Sequence, residues 1–156
     1  MGHRLTIAMT TWQATVQWSK AEPVAVDLAV DVASLQVLRG EGGVKGLSGP
    51  EKALARSNAL GVFDAEKYPR IRFQADAVEK TADGYRLSGT LEIHGTTRDR
   101  VVDLRVEDLG DRWRMSAEAE VTQSEFGMKP YSMFLGSMKV VDEVAVSFSA
   151  EHAKDG

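Results

Sequence analysis

Few residues in this sequence have the types and spacing that metal binding requires. The three histidines, His3, His94 and His152, lie too far apart along the chain to form a ligand motif. The sequence contains no cysteine, which excludes disulfide bonds, thiolate metal ligands and a cysteine nucleophile. We therefore predict no metal site.

The residues that could transfer protons are isolated from one another. His94 stands between a predicted strand and Gly95. Its imidazole titrates near neutral pH, but the position favours a hydrogen-bonded turn residue. Asp64 and Glu66 are two apart in a predicted turn, where acidic side chains commonly cap the backbone or face solvent. The sequence has neither a Gly-x-Ser-x-Gly elbow nor a phosphate-binding glycine loop. We predict no catalytic residue and no enzymatic activity.

Length and charge limit the classes of partner. The 156 residues fit one domain, residues 1–156, and the formal net charge is −4. No run of Lys or Arg indicates a nucleic-acid site, and we interpret Arg98, Asp99 and Arg100 as an exposed edge. Nucleic acid is therefore not an expected partner. The sequence does not decide whether the chain forms a homodimer.

Membrane insertion and export are not expected for the chain as given. No apolar stretch approaches the roughly 20 residues of a membrane-spanning helix. The first residues are too polar, and their apolar run too short, for a signal peptide. We expect a cytoplasmic location, or a periplasmic or secreted one if a leader has been trimmed.

A period-two alternation of apolar and polar residues dominates the sequence and predicts half-buried strands. Turn residues, including Asp83-Gly84 with the positive φ angles of a tight hairpin, separate a meander of four strands between Ile71 and Val121. Such strands close into a barrel or stack as a sandwich. We favour an all-β antiparallel barrel because large and small inward residues alternate. The alternation covers residues 12–18, 24–32, 70–75, 85–93, 102–107, 113–121 and 144–149.

One segment has helical signals instead. Ser48 and Glu51 have the spacing of a capping box, and Pro50 suits a first helical turn. An apolar stripe continues to Leu60, and Gly61 is predicted to end this short helix.

The inward residues of the strands form the predicted ligand-binding surface. Glycine inside a strand marks a close approach or free space. We expect that Gly89→Phe blocks the interior while the chain still folds. Val144, and the alternating Ala14, Val16 and Trp18, are also predicted to point inward. The predicted ligand-binding residues on the strands are Trp12, Ile71, Phe73, Leu87, Gly89, Leu91, Leu104, Met115, Val146 and Phe148.

The segment 126–138 is rich in Met and aromatic residues but is interrupted by Gly127, Pro130 and Gly136. Met adapts its shape and is common at permissive apolar sites. The segment is predicted to be irregular. It either plugs one end of the barrel or forms a lid on the ligand, and both could hold together. It adds Phe126, Met128, Met133 and Phe134 to the predicted ligand-binding residues.

Two motifs in the middle of the chain resemble the signature of the YceI-like family. The first is Phe-Asp-Ala-Glu-Lys-Tyr-Pro-Arg-Ile-Arg-Phe at residues 63–73, and the second is Leu-Ser-Gly-Thr-Leu-Glu-Ile-His-Gly-Thr-Thr at residues 87–97. Residues 30–35 resemble the strand end that precedes the helix in that family. The resemblance implies a lipocalin-like barrel of about eight strands with one short helix. It also implies an apolar channel and a polyisoprenoid ligand, of the quinone or polyprenyl phosphate type, and it implies no catalytic residue.

The favoured function is non-catalytic binding, storage or transport of a long apolar lipid, an isoprenoid by resemblance, in the barrel cavity. One alternative is an enzyme that uses the pocket with His94 as acid or base. Another is an interaction module whose barrel is filled by its own side chains. The inward positions are mostly apolar, which favours lipid binding over catalysis. No cofactor is predicted other than a bound lipid.

Overall fold

The computed structural model describes residues 4–41, 49–128, 132–133, 138–139 and 143–154. The first part contains β1 (Arg4–Met9), β2 (Trp12–Ser19), β3 (Glu22–Asp31), a 3₁₀ turn (Val32–Ser34), β4 (Leu35–Glu41) and the helix α1 (Gly49–Phe63). The second part contains β5 (Arg70–Lys80), β6 (Gly84–Ile93), β7 (Thr96–Asp108), β8 (Arg112–Thr122), a 3₁₀ turn (Gln123–Phe126), β9 (Ser132–Met133), β10 (Met138–Lys139) and β11 (Glu143–Ala153).

The main sheet is antiparallel and has the strand order β11-β8-β7-β6-β5-β3-β2. These seven strands curl into a half-barrel of lipocalin-like fold. The strands β5 to β8 are consecutive neighbours, which confirms the predicted meander and the mainly β fold class. The alternation predicts these strands well because one face of each lies inside the curl.

The pair β1–β4 continues the β2–β3 hairpin beyond a shared break. At the break, Ser34 Oγ donates a hydrogen bond to Asp31 O at 2.6 Å and accepts one from Thr11 N at 3.0 Å. Val32 and Leu35, beside these bonds, are 1% and 0% exposed. The residues 30–35 that resemble the family therefore form a structural junction. Neither β1 nor β4 is predicted from the sequence pattern.

The helix α1 does not end where the sequence predicts. It continues through Gly61, and Asp64 takes a left-handed φ of 51° just beyond its end. The N–H groups of Asp64 and Ala65 donate to the carbonyls of Gly61 and Leu60, each at 3.1 Å. This Schellman arrangement satisfies the last helical carbonyls. Asp64 is thus a helix cap.

Arg56 docks the helix on the junction. Its Nε donates to Leu35 O at 2.8 Å, and its Nη2 donates to Ala33 O at 2.7 Å. Both acceptors lie where the chain passes from the 3₁₀ turn into β4. One side chain therefore holds the helix against the start of β4.

The turn before β6 also differs from the prediction. Neither Asp83 nor Gly84 has a positive φ. Instead, Thr81 N donates to Gly84 O at 2.9 Å, and Val106 N donates to Asp83 O at 2.8 Å. Gly84 is required for another reason, because an added Cβ would collide with the carbonyl of Leu104.

Two clusters of buried apolar side chains form the core. Leu91 packs against both of them. One cluster, at the helix end of the sheet, contains Ile93, Val121, Phe126 and Met128; the other, in its middle, contains Phe73, Ala75 and Leu87.

Candidate ligand-binding face

The strand registers place the predicted inward residues on one face of the sheet. Directly opposed residues of an antiparallel ladder project to the same side, and Phe73 opposes both Leu28 and Leu91. Directly opposed residues on the other strands extend this face across the whole sheet. We call it the inner face. Its members include Trp12, Ile71, Phe73, Leu87, Leu91, Leu104, Met115, Val144, Val146 and Phe148.

Burial on the inner face is uneven. In the middle strands, Phe73 and Leu87 are 7% and 5% exposed, whereas Trp12, Trp113 and Val146 near the sheet edges are 40%, 38% and 44% exposed. Val146 lies on the inner face, and the described residues leave this part of the face uncovered, so its place in an enclosed interior stays a prediction. The predicted inward side chains of β2, which include Val16 and Trp18, are likewise exposed.

The two edges of the sheet approach each other through an aromatic pair. Trp12 of β2 and Phe148 of β11 make an edge-to-face contact with ring centroids 5.3 Å apart. Within the described ranges, no backbone ladder joins these edge strands. Side chains therefore close the curl at this point.

The strands β7 and β8 separate along part of their length. They are paired only between residues 105–108 and 113–116, while β8 stays paired with β11 along its whole length. An open groove of about 560 Å³ lies where the two strands part, lined by residues that include Arg100, Ala119 and Val146. Glu118 and Glu120 also line it, so residues of both charges and apolar residues share the same opening.

Arg98 and Arg100 lie on the inner face, opposite Leu91 and Gly89 of β6. The strand β7 is interior in the strand order of the sheet, but β8 pairs only with its residues 105–108, so residues 98–100 have no neighbouring strand on that side, and Arg98 is exposed. The segment 96–100 carries polar side chains at every position. It therefore shows no alternation from which inward positions could be predicted. Counting inward positions back from Val102 would have identified both arginines.

Both arginines reach from β7 across the gap, Arg100 to β8 and Arg98 to the 3₁₀ turn that follows β8. Arg98 Nε donates to the carbonyl of Glu125 at 2.6 Å, and the Arg100 guanidinium donates to the carbonyl of Glu120. Each bond reaches a neutral backbone acceptor, so the positive charges stay uncompensated by these contacts.

Gly89 marks a close approach of two backbones. A Cβ added there would lie 2.6 Å from Ala75 Cα and would also collide with the carbonyl of Gln74. The register shifts in β5 beside this point. The expectation that Gly89→Phe leaves folding intact is therefore wrong, and a ligand contact at Gly89 stays a prediction.

His94 and Gly95 form the two-residue loop between β6 and β7. Their φ values are 55° and 73°, which suits a type I′ hairpin turn. The Tyr68 ring lies 4.6 Å from the His94 ring, and a Cβ on Gly95 would lie 2.5 Å from Tyr68 Cε1. The two motifs that resemble the family therefore meet here in a packing contact, which gives His94 a structural role as a turn residue.

The beginning of the Met- and aromatic-rich segment is part of the core. Phe126 and Met128 are 2% and 3% exposed and pack in the cluster with Ile93 and Val121. These two side chains plug one end of the half-barrel. Met133 lies in β9, opposite Met138, and Phe134 lies outside the described residues.

The outer face carries most of the charge pairing. Arg72 pairs with Asp27 and Arg86 with Asp103, each at 3.0 Å. On the side of the inner face, at the end of β7 opposite Trp113, the Lys154 ammonium lies 2.5 Å from Asp108 Oδ1. It holds the pKa of that carboxyl below its ordinary value, aided by the Gly110 N–H.

Two findings concern metals and membranes. In the part of the chain that the structure describes, no three His, Asp or Glu side chains come together in a way that could hold a metal ion. No helix within those same ranges has the length and apolar character needed to span a membrane.

Comparison with known proteins gives one family and several solved structures. A model of the YceI-like domain matches residues 2–152. No curated protein matches the chain. Burkholderia cenocepacia BcnA has 22% identity and a TM-score of 0.70, over 94% of this chain and 87% of that one.

Two further structures have the same fold. The Campylobacter jejuni YCEI protein has 17% identity and a TM-score of 0.72, over 98% of this chain and 86% of that one. A polyisoprenoid binding domain from Saccharophagus degradans, implicated in plant cell wall breakdown, has 13% identity and a TM-score of 0.59, over 97% of this chain and 92% of that one. At these identities the likeness concerns the fold.

Proposed function

The chain belongs to the YceI-like family, and on that premise we propose that it binds a long apolar lipid of the isoprenoid class along the inner face, without catalysis. The observation that carries this proposal is the exposed apolar part of the inner face. Trp12, Trp113 and Val146 lie there at about two-fifths exposure, on the same face as the buried core. Exposed apolar side chains on a face that is buried elsewhere are typical of a binding surface.

The energetics favour a chain-like ligand. Burial of each CH₂ group contributes about 0.8 kcal/mol, so ten groups give roughly 8 kcal/mol before entropic costs. This gross value corresponds to a dissociation constant of about 1 µM, and ordering of the ligand weakens it. A long lipid therefore needs few polar contacts, which suits the apolar side chains of this face. The structure of the polyisoprenoid binding domain supports the isoprenoid class.

Storage or transport is the role we propose for this binding. Two of the residues that could transfer protons have structural positions here: the His94 ring packs against Tyr68, and the backbone at Asp64 caps α1. The predicted contacts of Met115, Phe148, Met133 and Phe134 with the ligand, and a cytoplasmic location for the chain, are part of the same proposal.

A matched pair of valines tests the proposal. Val146 on the inner face is 44% exposed, and Val101 on the outer face is 56% exposed. We expect Val146→Asn to weaken the binding of an apolar fluorescent dye and of a polyprenol by roughly tenfold, the equivalent of about 1.5 kcal/mol for one buried side chain. Val101→Asn should leave both affinities unchanged.

Denaturant unfolding of both variants controls for stability. Equal affinities for wild type and Val146→Asn would contradict binding on the inner face. Failure of the wild type to bind any apolar probe would instead favour the self-filled interaction module.

A further inference from the structure

The separation of β7 from β8 leaves two stretches of backbone that face each other without pairing. The ladder joins only residues 105–108 to residues 113–116. Among the described residues, no strand pairs with residues 96–104 on the side away from β6, or with residues 117–122 on the side away from β11. Unpaired strand edges are templates for pairing with another chain. We call this opening the β7–β8 gap.

A hydrogen bond at the start of β6 shows which backbone groups of β7 point into the gap. Val106 N donates to Asp83 O on the β6 side at 2.8 Å, and β6 and β7 pair without a register shift. Successive residues of a strand direct their N–H and C=O groups to alternate sides. The backbone groups of Asp99, Val101 and Asp103 therefore point away from β6, into the gap.

The same reasoning applies to β8. Asp111 O accepts a hydrogen bond from Lys154 N on the β11 side at 3.1 Å, and β8 and β11 pair without a register shift. The alternation then turns the backbone groups of Glu118 and Glu120 toward the gap. The bond from the Arg100 guanidinium to Glu120 O agrees with this direction.

The gap is wider than a normal ladder. At the usual spacing of about 4.8 Å, a backbone N–H reaches the facing carbonyl directly. Here the end of the long Arg100 side chain reaches Glu120 O instead, and the open groove of about 560 Å³ lies beside it. An extended polypeptide carries N–H and C=O groups for both open edges, whereas a lipid chain carries none.

The residues whose backbones face the gap make its outer side acidic. Arg100 points inward, so Asp99 and Val101 beside it project outward. Asp99, Glu118 and Glu120 are exposed and belong to none of the ion pairs in the described part of the chain. Directly opposed residues project to the same side of a sheet. A strand in the gap would therefore place every second side chain among these carboxylates.

We propose that the β7–β8 gap binds an extended segment of a partner polypeptide as an added strand, with Lys or Arg at every second position beside Asp99, Glu118 and Glu120. A backbone N–H of this segment replaces the Arg100 guanidinium at Glu120 O. The proposal goes beyond lipid binding and stands without it, because it uses backbone groups and outer-face charges.

Three fluorescent peptides of about seven residues test strand addition on the full chain. The first alternates Lys and Val, the second has Glu in place of Lys, and the third keeps Lys but is N-methylated at alternate residues. N-methylation removes backbone donors and keeps the charge. We expect the first peptide to bind roughly tenfold or more tighter than the other two. Equal binding of the N-methylated peptide, or no binding of the first one, would overturn the proposal.

Variants of the chain test the acidic side of the site. Glu118→Gln/Glu120→Gln should weaken binding of the Lys–Val peptide about fivefold, as expected for two exposed charge pairs. Asp76→Asn/Glu79→Gln is the matched control, because it removes two exposed carboxylates from β5. That variant should bind like the wild type, and equal losses in both variants would overturn the assignment to the gap.

Amide hydrogen exchange locates the site without any substitution. In the free chain, the N–H groups of Val101 and Asp103 should exchange faster than those of Val102 and Leu104, which point to β6. The Lys–Val peptide should slow exchange at Val101 and Asp103. Protection of these two amides in the free chain would show that the gap is already filled by the chain itself, and would overturn the proposal.

Discussion

Gly89 and Arg100 oppose each other across β6 and β7, and each constrains the inner face differently. Gly89 lets two backbones approach, and Arg100 brings a positive charge to the groove. The alternation in β6 places Gly89 on the inner face, but it does not distinguish free space from a close approach, because both favour glycine. The backbone distance in the structure decides between them.

At Gly89, even a methyl group should be costly. We expect Gly89→Ala to lower the free energy of unfolding by about 2 kcal/mol or more, because the Cβ would collide with the β5 backbone. Gly61→Ala is the control, since nothing lies within 4 Å of its Cβ. In the helix this change should stabilise by about 0.5–1 kcal/mol. Urea unfolding measures both, and equal effects of the two would contradict the close approach.

The pair Asp108–Lys154 gives the stability a defined pH dependence. Because the hydrogen bond from Lys154 lowers the pKa of Asp108 in the folded state, the charged carboxylate stabilises the fold above the ordinary pKa of an aspartate. That contribution is lost as the pH falls through the lowered folded-state pKa. We expect Asp108→Asn to have a lower Tm than the wild type at neutral pH, with a difference that disappears in acid. A difference independent of pH would contradict this assignment.

Among the elements, the two-residue hairpin turns show where local sequence agrees or conflicts with the fold. His94-Gly95 places glycine at one of its two positive-φ positions, whereas Lys20-Ala21, between β2 and β3, has φ values of 51° and 66° without any glycine. A left-handed conformation is unfavourable for such residues. The β2–β3 ladder therefore holds this turn against its local preference.

Relief of that conflict should stabilise the hairpin. The double change Lys20→Asn/Ala21→Gly introduces the sequence that type I′ turns prefer, and we expect a gain of about 1 kcal/mol in thermal or denaturant unfolding. Ala82→Gly serves as the control because Ala82 has no positive φ. That change should destabilise by about 0.4–1 kcal/mol. A loss of stability in the double variant would show that the turn is not left-handed.

The sequence predicted the elements better than the contacts between them. Alternation identified the strands of the main sheet because one face of each lies inside the curl. It failed for β4, where Arg39 and Gly40 interrupt the alternation, and for the start of β7, where every residue from 96 to 100 is hydrophilic. The end of α1 was missed because a left-handed Asp64 replaces the glycine that usually caps a helix.

In the whole molecule, a buried core and exposed apolar side chains share one face of one curled sheet. Phe73 and Leu87 stabilise the fold, while Trp113 and Val146 remain available on the same face. The sequence could identify this face but not the point at which burial ends, because exposure depends on how far the sheet closes. Trp12 and Phe148 mark that closure.

Native mass spectrometry of the full chain, purified from its own host without detergent or organic solvent, tests lipid binding most directly. The account predicts a species heavier than the bare chain by the mass of one long-chain lipid, released when the protein is denatured. Val146→Asn should carry less of this lipid than Val101→Asn. Bare protein mass alone, in a sample that also fails to take up added polyprenol, would contradict the account.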